Sequence, residues 1–398
     1  MTLDAAVVGA GHNGLVAAAY LARSGLSVEV FERRDVAGGA CVTEELWPGV
    51  RASPGAYTLS LLRPEIVRDL DLAAHGLEVV VHEPHLFAPL PDGRKVVTWS
   101  ERNRTHAQIA ADWSPADADG YRDWAERWET AAARARPLML EPPDRERWLA
   151  AVGPEILDGS IADDLAGIPS EPVRVPFAIQ GLIGTLAAPQ DPGTAFVGFY
   201  HDLGEAAGRP GAWGFARGGM GAVTGALRAA AEAAGAVVHT DAPVERILVA
   251  DDPPRETAFG EAASGEAASG GSASGGSASG EAASGEAASG GGRSARGVVL
   301  AGGREVLARA VLSNADPRRT SALAGAPTPP GWRQDGPTVK VMLLLDGLPD
   351  FPSWPGPQPW AGTIDVGFTL ADLATAAHDA RAGRPAARPW IEASCQTA

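Results

Sequence analysis

Apolar residues fall along this chain in short unbroken runs joined by alanine-rich amphipathic stretches. The first run, Ala5 to Val8, gives way to Gly9-Ala10-Gly11-His12-Asn13-Gly14. An amphipathic stretch follows to Ser24 and is stopped by Gly25. A second run, Val28 to Phe31, ends in Glu32, and Gly38-Gly39 comes six residues later. Short apolar runs bounded by turn residues read as strands buried on both faces, and the stretch between them as a helix. The same rhythm returns late in the chain. Gly218-Gly219-Met220-Gly221 opens a helix over Ala222 to Ala234, which Gly235 ends. Strands are expected at Ala236 to Thr240, Val244 to Ala250, Arg296 to Ala301 and Val306 to Ser313.

Between these parts the pattern changes. Val79 to Val97 alternates around Pro91-Asp92-Gly93 and predicts strands with a hairpin. Ser114-Pro115-Ala116-Asp117 reads as a helix start, with a cap, a proline at the first helical position and an early acid. Tyr121, Trp124, Trp128, Ala131 and Ala135 then recur at helical spacing. Such a stripe either lines an apolar channel or packs its helix onto a core, and the second reading is preferred. Thr338 to Leu345 predicts another strand, ahead of a Pro/Trp-rich loop from Pro349 to Trp360.

Residues 260–292 consist of repeated GEAAS and GGSAS pentapeptides followed by GGG. They lack the apolar side chains needed to offset ordering entropy. With its flanks, 257–293 is expected to be a disordered insertion at the tip of a hairpin, where long loops are tolerated.

The first forty residues carry the strongest chemical signal. Strand, glycine turn, helix, strand and acid form a dinucleotide-binding fingerprint. Gly9 permits the turn, Gly11 allows close approach of a pyrophosphate, and Gly14 lets helix and strand pack. The free N–H groups of the helix start then face the phosphates. Glu32 can accept hydrogen bonds from ribose hydroxyls, and its charge opposes a 2′-phosphate. The Gly38-Gly39 doublet brings the chain past the diphosphate a second time, which favours FAD over NAD.

The blocks GAGHNGLVAAAYLARSG, FERRDVAGGACVTEE and SPGAYTLSLLRPEI, with GLIGTLAAPQDPGTAFVGFYHDLGE, GAWGFARGGMGAVTGALRAAAEAAGA and ARAVLSNADPRRT downstream, resemble the phytoene-desaturase-like FAD-dependent oxidoreductase family. The resemblance covers nearly the whole chain outside the insertion. It implies an α/β fold: a Rossmann-like FAD/NAD(P)-binding domain over 1–75 and 215–325, and an α+β substrate domain over 76–214 and 326–398, built on an antiparallel sheet and helices. It also implies FAD as the cofactor. The candidate cofactor-binding set is Gly9, Gly11, His12, Asn13, Gly14, Glu32, Arg33, Gly38, Gly39, Ala40, Val244, Asn314 and Ala315. In the family the backbone at Val244 would meet the adenine, and Asn314-Ala315 would run near the cofactor. Ala40 stands where many amine oxidases carry an arginine. The resemblance runs to PWIEAS and stops at Cys395-Gln396-Thr397-Ala398, so the chain is expected to be C-terminally truncated and to lack a last glycine-rich segment that lies against the flavin.

The implied activity is hydride transfer from an apolar, polyene or lipid-like substrate to flavin N5. NAD-dependent oxidoreduction, a truncated apo form acting as a binding module, and flavin-dependent isomerisation without net redox remain open alternatives. No catalytic residue is assigned: His12, His201, Tyr57 and Cys41 each have a structural reading that is preferred. The eight histidines are scattered without metal-ligand spacing, so no metal is expected. No CxxC occurs, which leaves a dithiol mechanism without its residues.

Composition narrows the partners. A formal net charge of −16 offers no basic stripe for nucleic acid. Two cysteines far apart suit a reducing compartment. Neither a signal-peptide pattern at the N-terminus nor an apolar run of the roughly 18–20 residues that span a bilayer is present. A cytoplasmic location is expected, with peripheral membrane contact open and the oligomeric state unread.

Overall fold

A computed structural model describes residues 2–251, 293–332, 336 and 338–396. The insertion expected at 257–293 lies outside the described residues, apart from Arg293.

One sheet has six strands. Its order is Val237–His239, Val28–Phe31, Leu3–Val8, Glu305–Ser313, Arg293–Leu300 and Val244–Asp251. The first four run parallel, and the last two return antiparallel as the expected hairpin around 252–292. Both faces of the central strand are covered, which is why its sequence is a continuous apolar run. On one face, Ala5, Val7, Val28 and Val30 pack under the helices His12–Arg23 and Met220–Ala233. Those helices present Ala18, Ala19 and Ala22 together with Ala226, Leu227, Ala230 and Ala231. On the other face Leu3, Ala6, Val8 and Phe31 meet Val244, Ile247 and Leu323. This is the Rossmann-like architecture read from the sequence.

A second sheet has four strands, in the order Ile391–Ala393, Thr363–Val366, Leu86–Pro89, Lys95–Thr98. Its outer pairs are antiparallel and its central pair is parallel. One face sends Leu86, Ala88 and Val96 into a helical core that holds Trp128, Phe177, Ile179 and Phe199. The other sets Phe87, Val97 and Ile364 beneath Phe351 and Trp354. The helix Pro115–Ala135 starts where expected, with the Ser114 hydroxyl accepting the Asp117 N–H at 3.1 Å. Its aromatic stripe is core. The Trp124 and Trp128 indoles both donate to Asp164 Oδ2 at 2.8 Å, and the rings of Tyr121 and Trp124 pack on Phe177.

The strand expected at Thr338 to Leu345 does not form. This segment joins no sheet, and Val339 and Leu343 are 84% and 71% exposed. An apolar run becomes a strand only where the fold lays it along another strand. The places it was expected to fill in the second sheet are taken by Thr363–Val366 and Ile391–Ala393.

Candidate functional site

The site is built where the first strand ends. Gly9 leaves the strand at φ +94°, a conformation open to glycine, and donates its N–H to Phe31 O at 2.9 Å. Gly11 caps the helix without a side-chain partner, and no acid occupies the first turn. The first N–H groups of the helix are therefore left for an outside acceptor. A Cβ on Gly14 would fall on the Gly9 carbonyl oxygen, so the turn closes only with glycine there.

The glycine doublet is locked onto this turn. Gly38 pairs with Gly11 in an isolated parallel bridge and donates its N–H to Ala10 O at 2.8 Å. A Cβ on Gly39 would lie 3.2 Å from Gly11 Cα. Gly39 and Ala40 are exposed beside the helix start, as are His12 and Asn13. The Ala40 carbonyl accepts the Ala56 N–H at 2.9 Å, which draws Ser53 to Tyr57 against the doublet.

Glu32 is buried, and both its oxygens are engaged. Oε2 accepts the Ala10 N–H at 2.9 Å and Oε1 the Arg34 N–H at 3.0 Å. A carboxylate offers about four lone-pair positions, so capacity for further donors remains. Arg33 is exposed, whereas Arg34 pairs with Glu44. Val244 is a buried strand residue packed with Phe31, two residues beyond Ala242, whose N–H bonds the Glu32 carbonyl at 2.8 Å. Asn314 bonds Val8 O through its N–H, and its carboxamide lies across the three glycines. Ala315 follows, its N–H 3.4 Å from Ser313 Oγ. Fold and register thus gather Gly9, Gly11, Gly14, Glu32, Gly38, Gly39 and Asn314 at one place, with Ala40 and Val244 at its rim.

The other candidates have structural settings. His12 Nδ1 lies 3.7 Å from Cys41 Sγ, and partial desolvation of the pair lowers the imidazole pKa and raises the thiol pKa. His201 packs edge-on against Trp213, and burial pushes its pKa down to about 4.

Three features were not singled out from sequence. Ser53 Oγ and Thr43 Oγ1 accept the Met220 and Gly221 N–H groups at 3.0 and 2.9 Å, so the second helix start is already capped. The third is Lys340, whose ammonium donates to Ser53 O and Gly55 O, each at 2.7 Å, above the Tyr57 ring. Desolvation lowers its pKa to about 8. A lysine inside an apolar run was the available signal.

A cavity of about 250 Å³ between Leu59, Val67, Leu77 and Val79 falls below the usual range of ligand pockets. A wider one of about 550 Å³ lies along the outer side of Pro115–Ala135. Neither is lined by the glycine turn. Among the described residues no cluster of three or more metal-ligating side chains occurs, and no helix is long and apolar enough to cross a membrane.

Residues 7–71 match the family model described as NAD(P)-binding Rossmann-like domain. Across 444 aligned positions the chain is 32% identical to pyridine nucleotide-disulfide oxidoreductase domain-containing protein 2 of Rattus norvegicus, covering 98% of this chain and 69% of that protein. The chain belongs to the phytoene-desaturase-like oxidoreductase family. Another family member, phytoene dehydrogenase of Streptomyces griseus, is 31% identical over 256 residues, 61% of this chain and 48% of that enzyme. An oxidoreductase of known structure from Methanosarcina mazei matches with a TM-score of 0.49 at 18% identity, covering 81% of this chain and 61% of that one.

Proposed function

We propose that this chain is the FAD-binding and substrate-binding part of an oxidoreductase that removes hydride from an apolar substrate. One observation carries the choice of coenzyme: the Gly38 bridge to Gly11 sets a second glycine loop beside the first, leaving Gly39 and Ala40 open next to uncapped helix N–H groups. That double cradle suits a diphosphate held from two sides. Gly9, Gly11, His12, Asn13 and Gly14 would hold the diphosphate from the helix side, and Gly38, Gly39 and Ala40 from the other. Glu32 would take ribose hydroxyls with its remaining lone pairs, with Arg33 and the Val244 backbone bordering the adenosine. Asn314 and Ala315 would close the turn from the returning strand. Residues 1–75 and 215–325 supply this half, and 76–214 with 326–398 the substrate half.

A bound flavin supplies the hydride acceptor. The protein's own part is to orient the ligand and exclude water. Lys340 and the Ala40 carbonyl hold Ser53 to Tyr57 against the doublet, which fixes that wall of the site. The apolar character of the substrate rests on the resemblance to phytoene dehydrogenase. A carboxylate already committed to two N–H groups in a buried position disfavours a 2′-phosphate, and hence NADP.

The test is reconstitution of the purified 398-residue chain with FAD, read by absorbance between about 350 and 500 nm after removal of free ligand. Retained flavin with a raised melting temperature is expected. Quenching of tryptophan emission by NADH, with no flavin retained, would favour the NAD reading instead.

A further inference from the structure

The inner face of the four-stranded sheet carries two carboxyls. Asp365 stands directly opposite Glu392 across the antiparallel pair Thr363–Val366 and Ile391–Ala393. Ile364 and Ala393 belong to the cluster under Phe351 and Trp354. Strand alternation therefore turns Asp365 and Glu392 the other way, to the face on which Leu86 and Ala88 enter the helical core. Asp365 is 1% exposed. Its Oδ2 accepts from Gln180 Nε2 at 3.1 Å, while its Oδ1 and both Glu392 oxygens are buried without a hydrogen-bond partner. Neither carboxyl has an ion-pair partner among the described residues.

The neighbouring elements do not neutralise them. The helix Glu171–Gln180 brings Gln180 to Asp365. On that helix Glu171 accepts the Leu370 N–H, and Arg174 has a buried Nε with no partner. Leu86–Pro89 and Gln358–Ala361 contain no titratable side chain. His85, just before the former, bonds Ser100, and burial lowers its pKa. His82 lies 3.4 Å from Thr363 Oγ1, on the same face as Asp365, and burial holds it neutral down to about pH 4. Lys95, on the far strand, pairs with Asp112. The remaining carboxyl neighbour of each acid is the other one.

Among the described residues Ile391–Ala393 is an edge strand of three residues, held to the sheet along one side only. A buried carboxylate without partners is strongly disfavoured, and two opposite one another more so. We propose that Asp365 and Glu392 form a pH-sensitive latch: protonated, they let Ile391–Ala393 dock on the sheet; ionised, they release it. Burial raises both acids to about pH 7. In the released strand Glu392 returns to an ordinary carboxylate value near 4, while Asp365, which stays on Thr363–Val366, loses its carboxyl neighbour. The docked form thus binds more protons, and docking weakens as pH rises from about 4 to about 7. This device is independent of the coenzyme reading.

Hydrogen exchange of the 398-residue chain tests it, comparing about pH 5.5 with about pH 8.5 after correction for intrinsic rates. Protection of the Ile391–Ala393 amides is expected to fall by about tenfold or more at the higher pH, while Leu3–Val8 keeps its protection. In D365N/E392Q, which keeps shape and removes the charges, the loss should vanish. Equal protection of the wild type at both pH values overturns the latch, as does a double variant that loses protection like the wild type. If the double variant does not fold, D365N alone decides: it should retain more protection than wild type at the higher pH, and an equal loss again overturns the latch.

Discussion

Gly38 donates its N–H to the Ala10 carbonyl at 2.8 Å, and through this bond the second glycine loop is fastened to the first. Gly38 adopts φ +137°, and a Cβ there would lie 2.8 Å from Cys41 O, Thr224 Oγ1 and Val42 Cγ1. Strain and overlap with backbone act together. Gly38→Ala is expected to destabilise the chain by about 2–4 kcal/mol even without coenzyme. Urea unfolding of the apo protein checks this; a loss under about 0.5 kcal/mol would contradict the bridge.

Gly11 makes a different case. Its Cβ would meet Asn314 Nδ2 at 2.5 Å, the far end of a side chain rather than backbone, and its own φ is an ordinary −70°. Gly11→Ala should be tolerated better than Gly38→Ala, and Asn314→Ala should relieve it. The double variant is expected to recover about 1 kcal/mol relative to the sum of the single effects. A thermodynamic cycle in urea measures that coupling, and additivity would refute the contact.

Lys340 ties a segment that joins no sheet to the wall of the site through two carbonyls, Ser53 O and Gly55 O. Lys340→Met removes both bonds. The expected loss is about 1 kcal/mol, since the residue as a whole is exposed while desolvation of its ammonium offsets part of the two bonds. The sharper readout is limited proteolysis, which should cut within 53–57 and 338–345 sooner in the variant. Unchanged cleavage there would show that the tether does not matter.

The turn, its helix and the acid were legible because they are local. Each residue type answers a backbone need within a few positions, so Gly9, Gly14 and the run Val28 to Phe31 could be read directly. The apolar run from Thr338 to Leu345 misled because β-propensity says nothing about which segments the fold lays along a sheet. Lys340 and the Asp365–Glu392 register were illegible for a related reason. Their partners lie far away in sequence, and only the folded chain brings them together. The aromatic stripe from Tyr121 to Ala135 was read correctly as core, since helical spacing alone favours packing over a channel.

His82 is fully buried, with burial lowering its pKa to about 4. The unfolded chain binds the proton near pH 6.5. Stability from the neutral imidazole is therefore present above pH 6.5 and lost as pH falls towards 4, by up to about 3 kcal/mol. Asp365 and Glu392 act in the opposite sense over an overlapping range, so the pH dependence of wild-type stability does not isolate the histidine. His82→Phe removes the histidine contribution alone. Its urea midpoint should rise relative to wild type between pH 6.5 and 4.5; a constant difference between the two proteins would rule out titration of His82.

Glu32 serves the fold before it serves any ligand. Its two oxygens hold the Ala10 and Arg34 N–H groups, and the first of these lies inside the glycine turn. Glutamine has one acceptor oxygen, so Glu32→Gln leaves one N–H facing an amide donor. Apo stability is expected to fall by about 1–3 kcal/mol. Glu32→Asp keeps the charge and shortens the reach, which should cost less stability provided one N–H bond survives. Were Glu32 only a ribose ligand, both variants would melt with the wild type when FAD is absent and part from it only when FAD is added. Melting curves at matched concentrations, with and without FAD, separate the two roles: a shift in both curves assigns Glu32 to the turn, and an additional gap in the FAD curve assigns it to the coenzyme as well.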